Sequence, residues 1–234
     1  MEGERHRRLR EALGESDVFG SLTEDELERL VAYGNLVRHA KGHVIFQKGE
    51  PGDSLMIVLS GRVKISNYTA DGRETLLNFI EPGRSFGEIA LLDGKPRSAD
   101  ASAQDACELF VLRRGDVHSF LERHPDIAFR IIGILCDRLR RTTEMVEDAG
   151  RNMKPRIAKG LIRLANGYGR RCPEGIRIEL KLSQRELGNY IGLARENVNR
   201  QLNDWRKDGL LSLDDGFIVV HDLKVLSRIA ASSE

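Results

Sequence analysis

The 234-residue chain is poor in cysteine and has no long hydrophobic run. Its three cysteines, Cys107, Cys136 and Cys172, lie far apart, which argues against a disulfide framework and against a C-x-x-C metal site. No apolar run approaches the roughly 20 residues that a membrane helix needs, and residues 1–17 lack the apolar stretch of a secretory signal. We therefore expect a protein of the reducing cytoplasm that binds no metal and contacts no membrane.

Catalytic signatures are missing as well. The sequence contains no Walker loop, no H-E-x-x-H motif and no G-x-S-x-G motif. Glu88 and Asp93 are close enough in sequence to look like a carboxylate pair, which we regard as coincidental. We therefore expect that the protein is not an enzyme.

Charge is nearly balanced over the whole chain but unevenly distributed along it. Lys and Arg number 37 and Asp and Glu 36, so the net charge is +1. Residues 1–150 carry a net charge of −5, whereas residues 151–234 carry +6. A basic C-terminal third is typical of a nucleic-acid-binding module attached to a regulatory or neutral-ligand domain, although a chance fluctuation explains the charges equally well.

The hydrophobic periodicity changes along the first half of the chain. Residues 1–18 look like a polar, frayed or short helical lead-in, and residues 19–33 predict a helix in which Thr23 and Glu26 form a capping box. From about residue 35 to 115, short apolar runs alternate with glycine-marked turns about every 8–12 residues, which predicts a β-sandwich or jelly roll. Asp71-Gly72 predicts a hairpin.

Residues 116–149 have helical periodicity again. Pro125 fits a helix start, and the apolar seam that follows it is spaced alternately by four and three: Ala128, Ile132, Leu135, Leu139, Thr142, Val146 and Ala149. Such a heptad seam predicts a parallel helix pair and a homodimer, and the alternative is a helix that lies on its own β-domain. Residues 150–155 predict a hinge, with Asn152 capping the next helix.

The C-terminal part predicts a helix-turn-helix with a β wing. We expect a helix near 154–168, a strand near 176–180, helices over 183–191 and 195–207, and a hairpin around residues 214–216. Ser183 and Glu186 form the pattern of a capping box, and Gly192 suits the tight turn between the two helices. Val198, Leu202 and Trp205 face inward by their spacing, and Gly209 ends the second helix.

The outward residues of this motif are the predicted DNA contacts. The first residues of a recognition helix reach base edges in the major groove, where Arg pairs with guanine and Glu accepts from cytosine. The candidate base-contacting residues are Arg195, Glu196, Asn199 and Arg200, and the candidate phosphate-contacting residues are Ser183, Gln184 and Arg185. The alternative is a solvated charged face on an ordinary helix hairpin.

Residues 82–101, PGRSFGEIALLDGKPRSADA, predict a ligand site. Gly87 to Ala90 begin a short helical turn whose free N–H groups can hold an anion, and Arg97 with Ser98 can bind a phosphate. Glu88 is an acceptor, suited to a ribose hydroxyl. Together they describe a sugar phosphate with one negative charge, whereas taken alone the segment also fits a β-turn with a surface Arg–Glu pair.

With these motifs the chain resembles the cyclic-AMP receptor protein (CRP/FNR) family of bacterial transcription factors over roughly residues 19–220. The resemblance rests on FGEIALLDGKPRSA, on G-E-P-G-D and L-S-G-R-V, on RRTT and on LSQRELGNYIGLARENVNR. It implies an α+β fold: after the lead-in of residues 1–18, a β-roll (jelly-roll) cyclic-nucleotide-binding domain over 19–124, a dimerisation helix over 125–150 and a winged helix-turn-helix DNA-binding domain over 151–234.

The resemblance also implies a ligand and its contacts. Cyclic AMP is the expected activator, and because a threonine hydroxyl can meet the amino group of adenine or the carbonyl oxygen of guanine, the contacts also allow cyclic GMP. Glu88 would bind the ribose 2′-hydroxyl, and Arg97 with Ser98 the cyclic phosphate, while Thr142 and Thr143 would meet the base. The full candidate ligand set is Gly87, Glu88, Ile89, Ala90, Arg97, Ser98, Ala99, Arg138, Thr142 and Thr143.

The implied partners are double-stranded DNA, a second copy of the chain and RNA polymerase. Arg195, Glu196 and Arg200 match base-reading positions of the family, which implies a palindromic operator with half-sites near TGTGA. Ala194 and Asn197 depart from the family, which often has Ser or Thr at the first position and Thr at the second. Two alternatives remain, a haem or iron–sulfur sensor on the same scaffold and a nucleotide-binding regulatory subunit without DNA contacts.

Overall fold

The computed structural model describes residues 2–70, 72–214 and 216–232. These residues form two compact units. The first comprises the chain up to Asn67 together with Leu77–Arg140, and the second comprises Tyr68–Leu76 together with the chain from Arg141 onward. No helix within the described ranges is long and apolar enough to cross a membrane.

The first unit combines helices with two sheets. Its helices are α1 (Glu2–Gly14), α2 (Glu24–Tyr33), α3 (Glu88–Asp93) and α4 (Arg114–Arg123), and α5 (Pro125–Ala149) begins in it. The strands are β1 (Asn35–His39), β2 (Val44–Phe46), β3 (Ser54–Ser60), β4 (Val63–Tyr68), β5 (Glu74–Ile80), β6 (Ser85–Phe86), β7 (Asp100–Ala103) and β8 (Cys107–Arg113). The strand orders are β1-β8-β3-β6 and β2-β7-β4-β5, so the predicted two-sheet architecture is confirmed.

Strand β3 explains where the cores lie. Side chains alternate between the two faces of a strand. Leu55 and Ile57 therefore pack in a cluster with residues of α1, α2, α4 and α5, whereas Met56 and Val58 pack in a second cluster with residues of β4, β6, β7 and β8. Both faces of β3 are covered, which is why its first five residues are all buried.

The N-terminal residues form a packed helix. Leu9 and Leu13 of α1 are buried, and with Val18 and Phe19 they join the cluster that contains Ile127 of α5. The helical alternative for residues 1–18 is therefore confirmed, whereas the frayed one is wrong for the described residues. The apolar spacing of Leu9 and Leu13 was the signal, but a short charged helix shows a packed face only when the rest of the core is in place.

Local predictions for α2 and for the hairpin after β4 are largely confirmed. Helix α2 begins at Glu24 rather than at residue 19, because the carboxylate of Glu26 accepts a hydrogen bond from Thr23 N at 2.8 Å and ends the preceding turn. In the β4–β5 hairpin Gly72 has a φ of +78°, and Thr69 N donates to Arg73 O at 2.9 Å. Asp71, the other predicted turn residue, lies outside the described residues.

The heptad interpretation of α5 is partly wrong. Ile132, Leu139 and Val146 are exposed by 50%, 68% and 69%. Leu135, however, packs with Ile134 against the core of the first unit. Ile132, Leu139 and Val146 belong to a row of exposed residues on one face of α5, spaced by three and four. We call this row the exposed stripe, and its members are Phe129, Ile132, Cys136, Leu139, Thr143 and Val146.

The second unit contains the predicted helix-turn-helix. Its elements are α6 (Met153–Tyr168), β9 (Gly169–Cys172), β10 (Gly175–Ile178), α7 (Gln184–Ile191), α8 (Arg195–Lys207), β11 (Leu211–Asp214), β12 (Phe217–Val220) and α9 (Leu223–Ala231), with strand order β11-β12-β10-β9. The prediction missed β9, whose arginines carry no apolar signal, and α9, which Asp222 caps. Asp215 of the predicted terminal hairpin lies outside the described residues.

The predicted break after α5 is confirmed, but its two sides are tied together. Asp148, in the last turn of α5, is 2% exposed, and its carboxylate contacts Lys159 at 2.9 Å, Arg151 at 3.3 Å and Arg163. Burial raises the pKa of Asp148, but the hydrogen bonds and charges of Lys159 and Arg163 together lower it by more. The pKa of Asp148 therefore lies below its usual value. An ionised Asp148 thus anchors the end of α5 to α6 within the second unit.

Candidate functional site

The segment between β6 and α3 is shaped by a glycine. Gly87 has a φ of +86° and precedes the first turn of α3. A Cβ at Gly87 would lie 2.7 Å from Arg97 Nη1 and 2.8 Å from Ser54 O, so no other residue allows this close approach. The predicted helical turn is therefore confirmed, and the glycine brings the backbone against the guanidinium of Arg97.

Arg97 is a buried cation held by protein acceptors. Its side chain is 5% exposed, and it donates to Ser54 O at 3.1 Å, to Gly87 O at 2.9 Å and to Ser54 Oγ at 2.8 Å. The guanidinium also lies 4.3 Å from the ring centroid of Phe46. Burial lowers the pKa of Arg97, while Asp53, Glu88 and Glu50 raise it. Among the described residues, Nε of Arg97 has no hydrogen-bond partner.

Glu88 is a buried carboxylate in the same unit. It is 1% exposed, and one of its oxygens, Oε1, accepts from Nη1 of Arg138 on α5. Arg138 also donates to Ser85 O at 2.5 Å. The other oxygen of Glu88, Oε2, has no hydrogen-bond partner within the described chain. The carboxylate is thus held on one side and left with an unused acceptor on the other.

The structure brings four of the predicted ligand residues together, namely Gly87, Glu88, Arg97 and Arg138. Ala90 and Ala99 are buried, whereas Ile89 and Ser98 are exposed. Thr142 and Thr143 are exposed on the part of α5 that belongs to the second unit.

Sequence reasoning missed two residues that hold Arg97 and the role of a third that makes room for it. Ser54 and Phe46 gave no signal, since they lie on separate strands. Gly52, in contrast, belongs to the G-E-P-G-D motif, and a Cβ there would lie 2.3 Å from Ala90 Cβ and 3.0 Å from Arg97 Cδ. A side chain at Gly52 would therefore clash with Ala90 and with Arg97 in its observed position.

The arrangement suits a ligand that has both an anionic group and a hydroxyl donor. Buried polar atoms are nearly always hydrogen-bonded, so a buried N–H and a buried carboxylate oxygen without partners call for an explanation. An anion would accept from Arg97, and a hydroxyl would donate to Glu88. A sugar phosphate supplies both groups.

The helix-turn-helix is closed by local and tertiary contacts. Ser183 Oγ accepts from Glu186 N at 3.2 Å, and Glu186 Oε2 accepts from Ser183 N at 2.8 Å, which confirms the capping box. Gly192 has the predicted positive φ, +74°. Arg156 of α6 donates to Ile191 O at 2.8 Å and to Gly192 O at 3.0 Å. Sequence reasoning missed this arginine, since nothing local connects it to the turn.

Most of the predicted DNA-contacting residues are exposed. Arg195, Glu196 and Arg200 on α8 are exposed, as are Ser183 and Arg185. The predicted inward residues, Val198, Leu202 and Trp205, are buried. Ala194, which departs from the Ser or Thr frequent in the family, is the N-cap of α8, and its side chain has no acceptor for the first N–H groups of the helix.

Asn199 and Gln184 do not point freely outward as expected. Both are half-buried, and Asn199 Oδ1 accepts from Gln184 Nε2 at 2.9 Å and from Asn203 Nδ2 at 2.9 Å. These hydrogen bonds join the start of α7 to the middle of α8. The spacing predicted the helix face correctly, but it could not predict that neighbouring amides would engage the acceptor.

Two known sequence families match the chain. The cyclic nucleotide-binding domain family matches residues 36–124, and the Crp-like helix-turn-helix domain family matches residues 155–229. The first range includes the cluster around Arg97 and Glu88, and the second includes α7 and α8. The matches thus coincide with the two regions that the geometry singles out.

Whole proteins are also similar to the chain. A CRP-like cAMP-activated global transcriptional regulator of Mycobacterium tuberculosis is 32% identical over 221 residues, which cover 94% of this chain and 99% of that protein. The cyclic AMP receptor protein of Thermus thermophilus is 30% identical and covers 92% of this chain and 97% of that protein. The solved structure of the c-di-GMP responsive global regulator CLP of Xanthomonas campestris has a TM-score of 0.75 and 26% identity, and the match covers 86% of this chain and 100% of that one.

Gly188→Ala should destabilise the protein, although alanine is normally the better helix former. A Cβ at Gly188 in α7 would lie 2.7 Å from the backbone oxygen of Leu193 in the helix-turn-helix turn, a contact that only a backbone shift can relieve. We expect a loss of about 1–3 kcal/mol in the free energy of unfolding. The control is Gly167→Ala in α6, where the new Cβ meets no described atom within 4 Å and the change should be neutral or stabilising by up to about 1 kcal/mol. Urea denaturation measures both, and equal effects would contradict the close approach.

Proposed function

The chain belongs to the CRP/FNR family of cyclic-nucleotide-binding, DNA-binding transcription regulators, and from this premise we propose that it is a homodimer activated by cyclic AMP that binds a palindromic operator with half-sites near TGTGA. Members of this family regulate transcription and are not enzymes. The observation that carries the proposal is the buried pair of unused polar atoms, Nε of Arg97 and Oε2 of Glu88. One matches a phosphate and the other a ribose hydroxyl.

The contacts at the ligand follow from the chemistry of these side chains. Arg97 would bind the cyclic phosphate with Nε as its unused donor, and Ser98, one residue on and exposed, would add a hydroxyl donor. Glu88 accepts from the ribose 2′-hydroxyl through Oε2, while Arg138 keeps the other oxygen in place. The N–H of Gly87 supplies a further donor to the phosphate.

The base of the nucleotide is the less constrained part of the proposal. Thr142 and Thr143 would meet the base, and a threonine hydroxyl both donates and accepts. Such a hydroxyl can pair with the amino group of adenine or with the carbonyl oxygen of guanine. The similar regulators from M. tuberculosis and T. thermophilus are named for cyclic AMP, which supports cyclic AMP as the ligand proposed here. The c-di-GMP responsive regulator of X. campestris makes guanine nucleotides the necessary comparison.

The exposed stripe of α5 is the proposed dimer interface. Phe129 is 75% exposed, Leu139 68% and Val146 69%, which is costly for a helix that stays alone in water. The residues of the exposed stripe are spaced by three and four, as in the seam of a two-stranded coiled coil. A second copy of the same helix, packed in parallel and in register, would cover the whole stripe.

In the proposed dimer, the two recognition helices bind neighbouring major grooves on the same face of the DNA. Two helices that read half-sites of a palindrome must lie about 34 Å apart, one turn of the duplex. The nucleotide then acts by stabilising the dimer conformation that has this spacing, so it must bind that conformation better than the inactive one. Such a regulator would act in the cytoplasm, with RNA polymerase as a further partner.

Arg97→Ala should weaken the binding of cyclic AMP strongly. The substitution removes a charged donor from a buried site, and we expect a loss of about 100-fold, or about 2.7 kcal/mol. Isothermal titration calorimetry measures the dissociation constant. Lys95→Ala, an exposed neighbour with the same change of charge, is the control and should bind as the parent does. An unchanged constant for Arg97→Ala, in a protein that melts normally, would contradict the pocket assignment.

Cyclic AMP should increase the affinity for a palindromic TGTGA duplex in a gel-shift titration. Parallel lanes without nucleotide and with cyclic AMP, cyclic GMP or c-di-GMP identify the activator. Arg195→Ala at the start of α8 should abolish the preference for this duplex over a scrambled one. Arg206→Ala, which removes an equal charge from the last turn of the same helix, should keep that preference. Equal affinity in all four lanes would rule out activation by these nucleotides.

Leu139→Glu should convert the dimer into a monomer. A carboxylate in the seam would be buried against its counterpart, at a cost of several kcal/mol. Light scattering after size exclusion measures the mass. Arg140→Glu introduces the same side chain on the neighbouring exposed position, and this control should remain dimeric. A monomeric parent protein at micromolar concentration would refute the interface.

A further inference from the structure

Asp17, in the turn after α1, forms hydrogen bonds with residues 83–85, which directly precede the candidate ligand residues Gly87 and Glu88. Its side chain is only 8% exposed. The carboxylate accepts from Ser85 N with both oxygens, at 3.1 and 3.3 Å, and Asp17 N donates to Gly83 O at 2.9 Å. Residue 17 therefore binds both ends of the tripeptide 83–85.

Strand β3 holds the same tripeptide by a second set of bonds. Gly83 N donates to Val58 O at 2.8 Å, and Val58 N donates to Arg84 O at 3.0 Å. These bonds are made by backbone alone, so no side-chain substitution removes them. The bond from Ser85 N, in contrast, depends on the single side chain of Asp17. That bond can be deleted while the rest of the segment stays anchored.

The residue that Asp17 holds is itself part of the support of Glu88. The carbonyl oxygen of Ser85 accepts from Arg138 at 2.5 Å, and the same guanidinium donates to Glu88 Oε1. The Ser85 peptide is thus fixed by Asp17 through its N–H and binds Arg138 through its oxygen. A displacement of Ser85 would move one of the two acceptors that orient Arg138, and the carboxylate of Glu88 would follow.

The surroundings of Asp17 are charged as well as polar. Arg84 Nη1 lies 4.0 Å from its Oδ2. Burial raises the pKa of Asp17, while the hydrogen bonds from Ser85 and the charges of Arg84 and Arg138 lower it, and the net shift is upward. The isosteric substitution Asp17→Asn, which keeps an acceptor but not the charge, therefore separates the hydrogen bond from the electrostatics.

We propose that Asp17 is a positioning residue of the ligand site. The segment between α1 and α2 would then contribute to ligand binding by holding the backbone at Ser85. The inference rests on the proposed binding of a cyclic nucleotide. It concerns the backbone under Glu88, on the sugar-phosphate side of the ligand, so its effect is the same for cyclic AMP and cyclic GMP. No contact between Asp17 and the ligand is involved.

The test compares Asp17→Ala and Asp17→Asn with the control Glu15→Ala, an exposed carboxylate two residues away. Titration calorimetry at 10 °C measures the dissociation constants of both nucleotides. We expect Asp17→Ala to weaken each about tenfold, which corresponds to about 1.4 kcal/mol. Asp17→Asn should stay within about threefold of the parent, because its amide oxygen still accepts from Ser85 N. Glu15→Ala should bind as the parent does.

Hydrogen exchange of the peptide that spans residues 83–88 provides a readout that does not require ligand. The Ser85 amide should exchange faster in Asp17→Ala than in the parent, and at the parental rate in Asp17→Asn. If Asp17→Ala does not fold, Asp17→Ser takes its place. We expect the same loss of affinity and the same faster exchange, because the serine side chain is shorter than that of aspartate and does not reach Ser85 N.

Three outcomes would overturn the inference. The first is an Asp17→Ala affinity within twofold of the parent despite a lower melting temperature, which would mean a role in stability only. The second is a loss in Asp17→Asn as large as in Asp17→Ala, and the third is unchanged exchange at Ser85. A parent protein that binds neither nucleotide would instead refute the proposed function, and the exchange measurement would then decide the positioning role by itself.

Discussion

The burial of the Arg97 guanidinium is the constraint on which the candidate ligand site depends. A charge taken out of water costs several kcal/mol unless acceptors surround it. Ser54 supplies two acceptors and Gly87 a third. A Cβ at Gly52 would meet Ala90 and Arg97, and a Cβ at Gly87 would meet Arg97 and Ser54 O. The two glycines thus leave space for one buried cation and the serine supplies acceptors for it, while its Nε has no hydrogen-bond partner among the described residues.

Helix α5 connects this site to a surface of different character. On one face Ile127, Ile131 and Leu135 pack into the core, and Arg138 on the same helix binds Glu88 and Ser85. The other face carries the exposed stripe, with Leu139 next to Arg138 in sequence. Arg138, which binds Glu88, and Leu139, which belongs to the exposed stripe, are thus neighbours on one helix.

In the second unit, charged groups hold several helix ends, in addition to the buried apolar faces of α6, α7 and α8. Arg156 donates to the carbonyl oxygens of Ile191 and Gly192, and also to Ala149 O at 3.3 Å. Asp148 binds Lys159 and Arg163. The last turn of α5, the start of α6 and the turn of the helix-turn-helix are thereby joined through charged groups. Free carbonyls at helix ends need such donors, and the arginine meets that need at three of them.

The sequence by itself determined the local structure and the types of chemistry. Capping at Thr23 and Ser183, the positive φ of Gly192 and the inward triplet of α8 depend on residues at most a few positions apart, and the motifs around Arg97 and Arg195 marked the two candidate sites. Only the tertiary structure decided which face of α5 is buried, that α1 belongs to the core, that Asn199 is engaged and that Ser54, Asp17 and Arg156 hold the sites. The reason is distance along the chain: Arg97 meets Ser54 across 43 positions, Ser85 meets Asp17 across 68, and Arg138 meets Glu88 across 50, and no periodicity within one element specifies such pairs.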